Sequence, residues 1–153
     1  MKSMKITDSV DKSQLKNLED LYYDFFRETD FDNLYNEVTY SNFSGKKTKD
    51  VNKKRSNNKF YFVLDNEQIV GFIQGKIFDD VGLICHTYVK EEYRKGIVFT
   101  QLYKRIVEWF KMNGIEVIEV EVSLKNPMLD SVERHDWQLY QSFDDASIYH
   151  RKI

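Results

Sequence analysis

The sequence has few of the residues that interrupt or crosslink small proteins. Its 153 residues include one Cys, one Pro, six Gly and a single Ala. One thiol excludes a disulfide scaffold, and so little Gly and Pro excludes collagen-like and linker-rich chains. No apolar stretch approaches the length that spans a membrane, so we expect no membrane association. With almost no Ala, aromatic and branched side chains have to fill the core, and the 10 Tyr and 11 Phe suit that task.

The composition is typical of a folded globular protein, with 41% hydrophobic and 31% charged residues. This length predicts a single domain over residues 1–153, because two domains would each be too short for a sizeable core. The first residues turn polar at once and do not resemble a signal peptide. Together with the lone thiol of Cys85, this start predicts a cytoplasmic protein.

Charge is balanced over the whole chain but not along it. The formal net charge is −2, whereas residues 44–58 alone carry +5. The charged residues of this segment are Lys46, Lys47, Lys49, Asp50, Lys53, Lys54 and Arg55. Such a run usually forms a solvated loop or face, which is the interpretation that we favour. The alternative is an anion-binding patch that would serve a nucleic-acid-binding module.

Hydrophobic periodicity predicts the order of the secondary-structure elements. The predicted elements are a strand at 5–10, helices at 15–28 and 31–38, strands at 59–64, 68–78 and 81–89, a helix over 99–111, a strand at 115–124, a short helix opened by Asn126-Pro127, and strands at 137–143 and 147–153. This order predicts an α/β (α+β) fold: a mixed, mainly antiparallel central sheet of about six to seven strands, with helices on both faces.

The step from the strand at 81–89 into the following helix is the most informative feature of the sequence. A polar turn ends at Gly96, where the absence of a Cβ lets the backbone approach a ligand closely. The first N–H groups of a helix and its dipole favour an anion such as a phosphate. Arg94 and Lys95 add positive charge at the same place. The turn therefore indicates a phosphate site, with a plain loop as the alternative.

Three segments carry a family resemblance. Tyr88–Ile97, followed by an amphipathic helix, resembles motif A of the GNAT-type N-acetyltransferases, whose loop reads Gln/Arg-x-x-Gly-x-Gly/Ala. Gln68–Ile73 is similar to the strand that precedes the cofactor strand in that family, and Glu121–Asn126 to its strand-to-helix step ending in Asn. The resemblance extends over nearly the whole chain, and it implies a GNAT-like fold.

The resemblance also implies the co-substrate, which would be acetyl-CoA or another acyl-CoA, with no metal. The backbone of Val89 would hold the pantetheine arm, the turn from Arg94 to Val98 the pyrophosphate, and Asn126 would lie near the arm. The implied cofactor-binding residues are Tyr88, Val89, Arg94, Lys95, Gly96, Ile97, Val98 and Asn126.

The motif A loop is degenerate. Tyr93 stands at the Gln/Arg position, unless Arg94 takes that role through a one-residue deletion, and Val98 stands at the last Gly/Ala position. We expect the β-branched Val98 to change the shape of the phosphate loop. In the last helix the family carries Ala and then a Tyr that protonates the departing thiolate. This chain has Leu129 and then Val132 at these positions, or Ser131 or Glu133 in place of Val132 if the spacing slips.

The implied reaction is acyl transfer from acyl-CoA to an amine of a small molecule or a protein. Positioning, stabilisation of the oxyanion and removal of one proton would suffice for an activated thioester. The candidate bases are His86 on the cofactor strand and Glu121 on its neighbour, although each also fits a structural role. The alternative is a non-catalytic acyl-CoA-binding or interaction protein, and a monomer and a homodimer are both open. The three His residues have no metal-ligand spacing.

Overall fold

The computed structural model describes residues 4–29, 58–94, 97–124 and 136–153. The described elements are β1 (Met4–Thr7), a 3-10 turn (Lys12–Gln14), α1 (Leu15–Thr29), β2 (Asn58–Asp65), β3 (Gln68–Phe78), β4 (Val81–Val89), a second 3-10 turn (Glu91–Tyr93), α2 (Val98–Met112), β5 (Val117–Ser123), β6 (Gln138–Ser142) and β7 (Ala146–Lys152). The predicted helices at 31–38 and from Asn126, and the basic run 46–55, lie outside these residues.

The described strands form one sheet in the order β1-β2-β3-β4-β5-β7-β6. Only β4 and β5 run parallel, and each of the other neighbouring pairs is antiparallel. A parallel pair needs a crossover connection, which α2 provides between β4 and β5. The sequence-based prediction of a mixed, mainly antiparallel sheet of six to seven strands is confirmed.

A tight turn joins β2 to β3. Its central residues, Asn66 and Glu67, have φ angles of 49° and 75°. Two consecutive positive φ values are the mark of a type I′ turn, whose twist matches that of the flanking strands. The hairpin predicted from Asp65-Asn66-Glu67 is therefore confirmed.

The sheet is covered on its two faces by different clusters of side chains. On the α1 face, Leu18, Tyr22 and Phe25 pack against residues of β2, β3 and β4, namely Phe60, Phe62, Phe72 and Tyr88. On the α2 face, Leu102, Ile106 and Phe110 pack against Tyr61, Ile73, Ile84, Val89 and Ile118. Aromatic and branched side chains thus fill both layers, as the shortage of Ala requires.

Three strands are shorter than predicted, namely β1, β5 and, by one residue at each end, β6. β1 ends at Thr7, and the Thr7 hydroxyl donates a 3.1 Å hydrogen bond to the carbonyl of Ser9, which turns the chain. Val10, which the prediction places in the strand, is instead buried in the α1 cluster. β5 begins at Val117, because Ile115 packs into the α2 cluster from the turn that precedes the strand.

In the part of the chain that the structure describes, no helix is long and apolar enough to cross a membrane.

Candidate active site

The two parallel strands pair over only part of their length. The β4–β5 register runs from Val81 opposite Val117 to Ile84 opposite Val120. β4 continues to Val89 and β5 to Ser123, but these described ends are not paired with each other. We call the space between Cys85–Val89 and Glu121–Ser123 the β4–β5 gap. It lies at the end of β4 from which the chain turns into α2.

A β-bulge opens the second half of β4. Gly75 of β3 lies opposite Ile84, whereas Ile73 lies opposite Thr87, so three steps on β4 match two steps on β3. A bulge changes the direction of the side chains that follow it. Accordingly Ile84 and Val89 both face α2 although they are five residues apart, and Tyr88 faces α1. The bulge therefore sets which residues of β4 line each side of the gap.

His86 lies on the α1 face within a group of aromatic rings. Its ring centroid is 5.6 Å from that of Phe25 and 6.4 Å from that of Tyr22. Its Nδ1 is 2.9 Å from Gln74 Oε1, and Gln74 Nε2 donates to Asn58 Oδ1 at 2.9 Å. Because this orientation leaves Gln74 Oε1 as an acceptor, His86 carries its proton on Nδ1. Burial, and to a smaller extent the charge of Lys76, lowers the His86 pKa to about 4, so the ring is neutral at pH 7.

Glu121, the other predicted base, is exposed. It lies one residue beyond Val120, the last residue of β5 that pairs with β4. Ile118 and Val120 pack into the α2 cluster, so by strand alternation Glu121 lies on the α1 face. His86 is on the same face of the neighbouring strand, two residues beyond Ile84. The two predicted bases thus lie on the same face of the sheet, one on each of the strands that border the β4–β5 gap.

The helix α2 begins directly after an exposed residue. Ile97 caps the helix and is 56% exposed, and its carbonyl accepts the bond from Gln101 N–H at 2.9 Å. The first N–H groups of any helix have no acceptor within the helix. The Val98 side chain is 0% exposed and packs in the α2 cluster. Its effect on the shape of the phosphate loop stays a prediction.

Two side chains fasten the turn between β4 and α2. Arg94 Nε donates a 2.8 Å hydrogen bond to the carbonyl of Val89, and the guanidinium carbon lies 5.3 Å from the centre of the Tyr88 ring. The Tyr93 hydroxyl donates to Asp65 Oδ2 at 2.7 Å, which joins the turn to the β2–β3 hairpin. Tyr88, Val89 and Arg94 therefore form one structure, whereas Lys95 lies outside the described residues.

The remaining predicted site residues, Gly96 and Asn126, also lie outside the described residues, as do Leu129 and Val132. Cys85 is a poor nucleophile, since burial raises the pKa of its thiol to about 11. Over the described ranges, no group of three or more His, Cys, Asp or Glu side chains is arranged to hold a metal ion.

Sequence reasoning missed Gln74 and Thr87. Gln74 is 1% exposed and fixes the His86 tautomer, but one Gln within a strand pattern gives no signal of that contact. Thr87 has a buried hydroxyl at the gap, and the strand pattern alone assigns it no role. Both depend on the bulge, which is not visible in the sequence.

The β4–β5 gap, the bulge and the helix that starts beside them agree with a family match. The model of the acetyltransferase (GNAT) family matches residues 15–130. This chain belongs to the GNAT acetyltransferase family. No curated protein matches the sequence.

Three solved structures share the fold at low sequence identity. The PaiA N-acetyltransferase from Thermoplasma acidophilum, in complex with coenzyme A, has 16% identity and a TM-score of 0.77, with 99% of each chain covered. An acetyltransferase from Streptococcus agalactiae 2603 has 18% identity and a TM-score of 0.75 over 100% of both chains. Arabidopsis thaliana NAA60, in complex with a bisubstrate analogue, has 16% identity and a TM-score of 0.64 over 99% of both chains.

Proposed function

We propose that this GNAT protein transfers an acetyl or other acyl group from acyl-CoA to an amine of a small molecule or a protein. The observation that carries the proposal is the β4–β5 gap, which opens after Ile84 and Val120 at the end of β4 that leads into α2. We also take residues 1–153 as one acyl-CoA-binding domain, because strands from Met4 to Lys152 share one sheet.

Two parts of the site suit the two ends of the co-substrate. The end of β4, at Tyr88 and Val89, borders the gap with backbone groups that can bind the pantetheine arm. The first turn of α2, at Ile97 and Val98, offers N–H groups and the positive end of the helix dipole to the pyrophosphate. The buried Val98 side chain supports this role, since it packs on the sheet side of the helix. By family resemblance, Lys95, Gly96 and Asn126 complete the site.

Acyl-CoA supplies an activated thioester carbonyl, so the protein has to position an amine and remove one proton. His86 is neutral at pH 7 and, because its proton is on Nδ1, carries its basic lone pair on Nε2. Its low pKa means that it holds a proton only weakly. Glu121 lies on the same face and is exposed to solvent, to which it can pass a proton. We propose these two residues as the candidate bases.

Calorimetry with acetyl-CoA and with CoA tests the first step. We expect saturable one-site binding of both, with affinity reduced when Arg94→Ala releases the Val89 carbonyl. Lack of binding of either compound by the full chain would contradict the proposal. Thiol release over a panel of amines then tests turnover, and the His86→Gln and Glu121→Gln variants separate the candidate bases by which one lowers kcat.

A non-catalytic acyl-CoA-binding protein is the second candidate. The low pKa of His86 and the absence of Tyr at the expected position of the last helix favour it. Binding of acetyl-CoA without thiol release on any amine of the panel would support this candidate. Acetylation of one amine, lost in a base variant, would exclude it.

A further inference from the structure

The hydroxyl of Thr87 is a buried polar group that the fold leaves unsatisfied. Thr87 Oγ1 is inaccessible to solvent, and no residue in the described ranges gives it a hydrogen-bond partner. Buried hydroxyls almost always have a partner, because burial without one is costly. The unsatisfied Thr87 hydroxyl therefore needs a physical explanation, and a bound ligand that accepts its proton is one.

The bulge in β4 determines where this hydroxyl lies. Thr87 is opposite Ile73 on β3, directly after the register shift, and Ile73 is a member of the α2 cluster. Val89, two residues further, belongs to the same cluster, so Thr87 also lies on the α2 face. Without the bulge, alternation from Ile84 would place Thr87 on the α1 face. The extra residue thus brings a polar group to the face that the apolar side chains of the α2 cluster cover.

Thr87 is also on the part of β4 that does not pair with β5. The last β4–β5 pair is Ile84 and Val120, three residues before Thr87. The chain leaves β4 two residues after Thr87 and then turns towards the start of α2. Thr87 therefore lies directly before Tyr88 and Val89, the end of β4 that is proposed for the pantetheine arm, and on the same side of the sheet as α2.

We propose that the Thr87 hydroxyl donates a hydrogen bond to a carbonyl oxygen of the acyl-pantetheine arm. The inference rests on the proposed function, since it requires acyl-CoA in the β4–β5 gap. The arm carries two amide carbonyls and the thioester carbonyl, and each can accept a proton from an alcohol. If the partner is the thioester carbonyl, the bond strengthens as negative charge develops on that oxygen.

Thr87→Val tests the inference, because it removes the hydroxyl and keeps the branched shape, and Thr87→Ser is the matched control. Calorimetry should show a Kd of Thr87→Val that is roughly 3- to 10-fold higher than that of the wild-type chain. Thr87→Ser should stay within about twofold of wild type. The free Thr87→Val protein should melt at the same or a higher temperature, since it loses an unsatisfied buried group.

Comparison of CoA with acetyl-CoA identifies the acceptor. If Thr87→Val loses affinity for acetyl-CoA alone, the hydrogen bond is to the thioester carbonyl. If it loses affinity equally for both compounds, the bond is to an amide carbonyl of the arm. Equal affinity of wild type and Thr87→Val for both compounds would overturn the inference while the proposed function stands. A lower melting temperature of free Thr87→Val with unchanged binding would do the same, by showing a structural partner. If the wild-type chain binds neither compound, the proposed function fails and this inference fails with it.

Discussion

The two halves of β4 differ although they belong to one continuous strand. Residues Val81–Ile84 pair with β3 on one side and β5 on the other. Residues Cys85–Val89 lie beyond the pairing with β5, and only Thr87–Val89 are in register with β3 after the bulge. This half contains a neutral His and a buried hydroxyl without a partner among the described residues. The first half follows the rules of a stable sheet, and the second departs from them at the bulge, at the missing β5 partner and at the Thr87 hydroxyl.

The difference indicates a division of labour within the strand. Substitutions of side chains that pack on the paired half should lower the free energy of unfolding. They should leave the affinity of the folded protein for acyl-CoA unchanged. Changes in the second half should alter ligand binding or the pH dependence of stability more than stability at neutral pH. Each half can therefore be tested by a different measurement.

The largest effect is expected for Phe110→Ala, which acts on the paired half. The Phe110 ring is fully buried and packs so closely on Gly82 that a Cβ there would lie 2.7 Å from two ring atoms. Truncation leaves a cavity beneath β4, so urea denaturation should show a loss of about 3–5 kcal/mol. Met112→Ala, on the same helix at an 84% exposed position, is the control and should change stability by less than about 0.5 kcal/mol.

A loss below about 1 kcal/mol for Phe110→Ala would contradict the packing described for the paired half. So would a large rise in the Kd for acyl-CoA in protein that remains folded, because it would show that the two halves are not separable.

The second prediction concerns acid stability and the buried ring of His86. Its pKa is about 4 in the folded chain, against 6.5 for a free side chain, so the unfolded state binds the proton more readily. The contribution of His86 to the free energy of unfolding therefore has its full value above pH 6.5. It falls as the pH drops from 6.5 to 4, and it is constant below pH 4. The whole change amounts to roughly 3 kcal/mol.

His86→Gln should flatten the stability curve between pH 6.5 and 4, as measured by urea denaturation at a series of pH values. Thr87→Val is the matched control from the same strand, and because it removes no titrating group it should keep the wild-type slope. A His86→Gln curve parallel to that of wild type would show that another group causes the acid loss.

The sequence is sufficient for most of the fold, because its main signals are local. The period of apolar residues predicts α1 and α2, and Asp65-Asn66-Glu67 predicts the hairpin turn. The bulge could not be predicted, since it depends on how β4 pairs with β3 rather than on any residue within β4. The face on which Thr87 and His86 lie follows from that pairing.

The burial of Val98 escaped sequence analysis for a similar reason. A residue at the start of a helix points to the core or to the ligand according to how the helix sits on the sheet. Family spacing locates the turn but not the direction of its side chains. Candidate site residues could thus be placed on elements, whereas their contacts required the structure.

The smallest effect is expected for Tyr93→Phe, which removes the hydrogen bond between the turn after β4 and the β2–β3 hairpin. The bond to Asp65 Oδ2 is 2.7 Å long, and it raises the pKa of the Tyr93 phenol. One such bond contributes about 0.5–1.5 kcal/mol to the free energy of unfolding, and partial exposure puts the loss in Tyr93→Phe at the lower end.

Asp65→Asn tests the same hydrogen bond through the pKa of Tyr93, because it keeps an acceptor oxygen and removes the charge. Spectrophotometric titration of Asp65→Asn should therefore show one phenol that ionises at lower pH than in wild type, while Tyr93→Phe lacks that transition. An unchanged titration in Asp65→Asn would mean that the turn is not fastened to the hairpin in solution, and that the second half of β4 ends more loosely than the comparison with the first half implies.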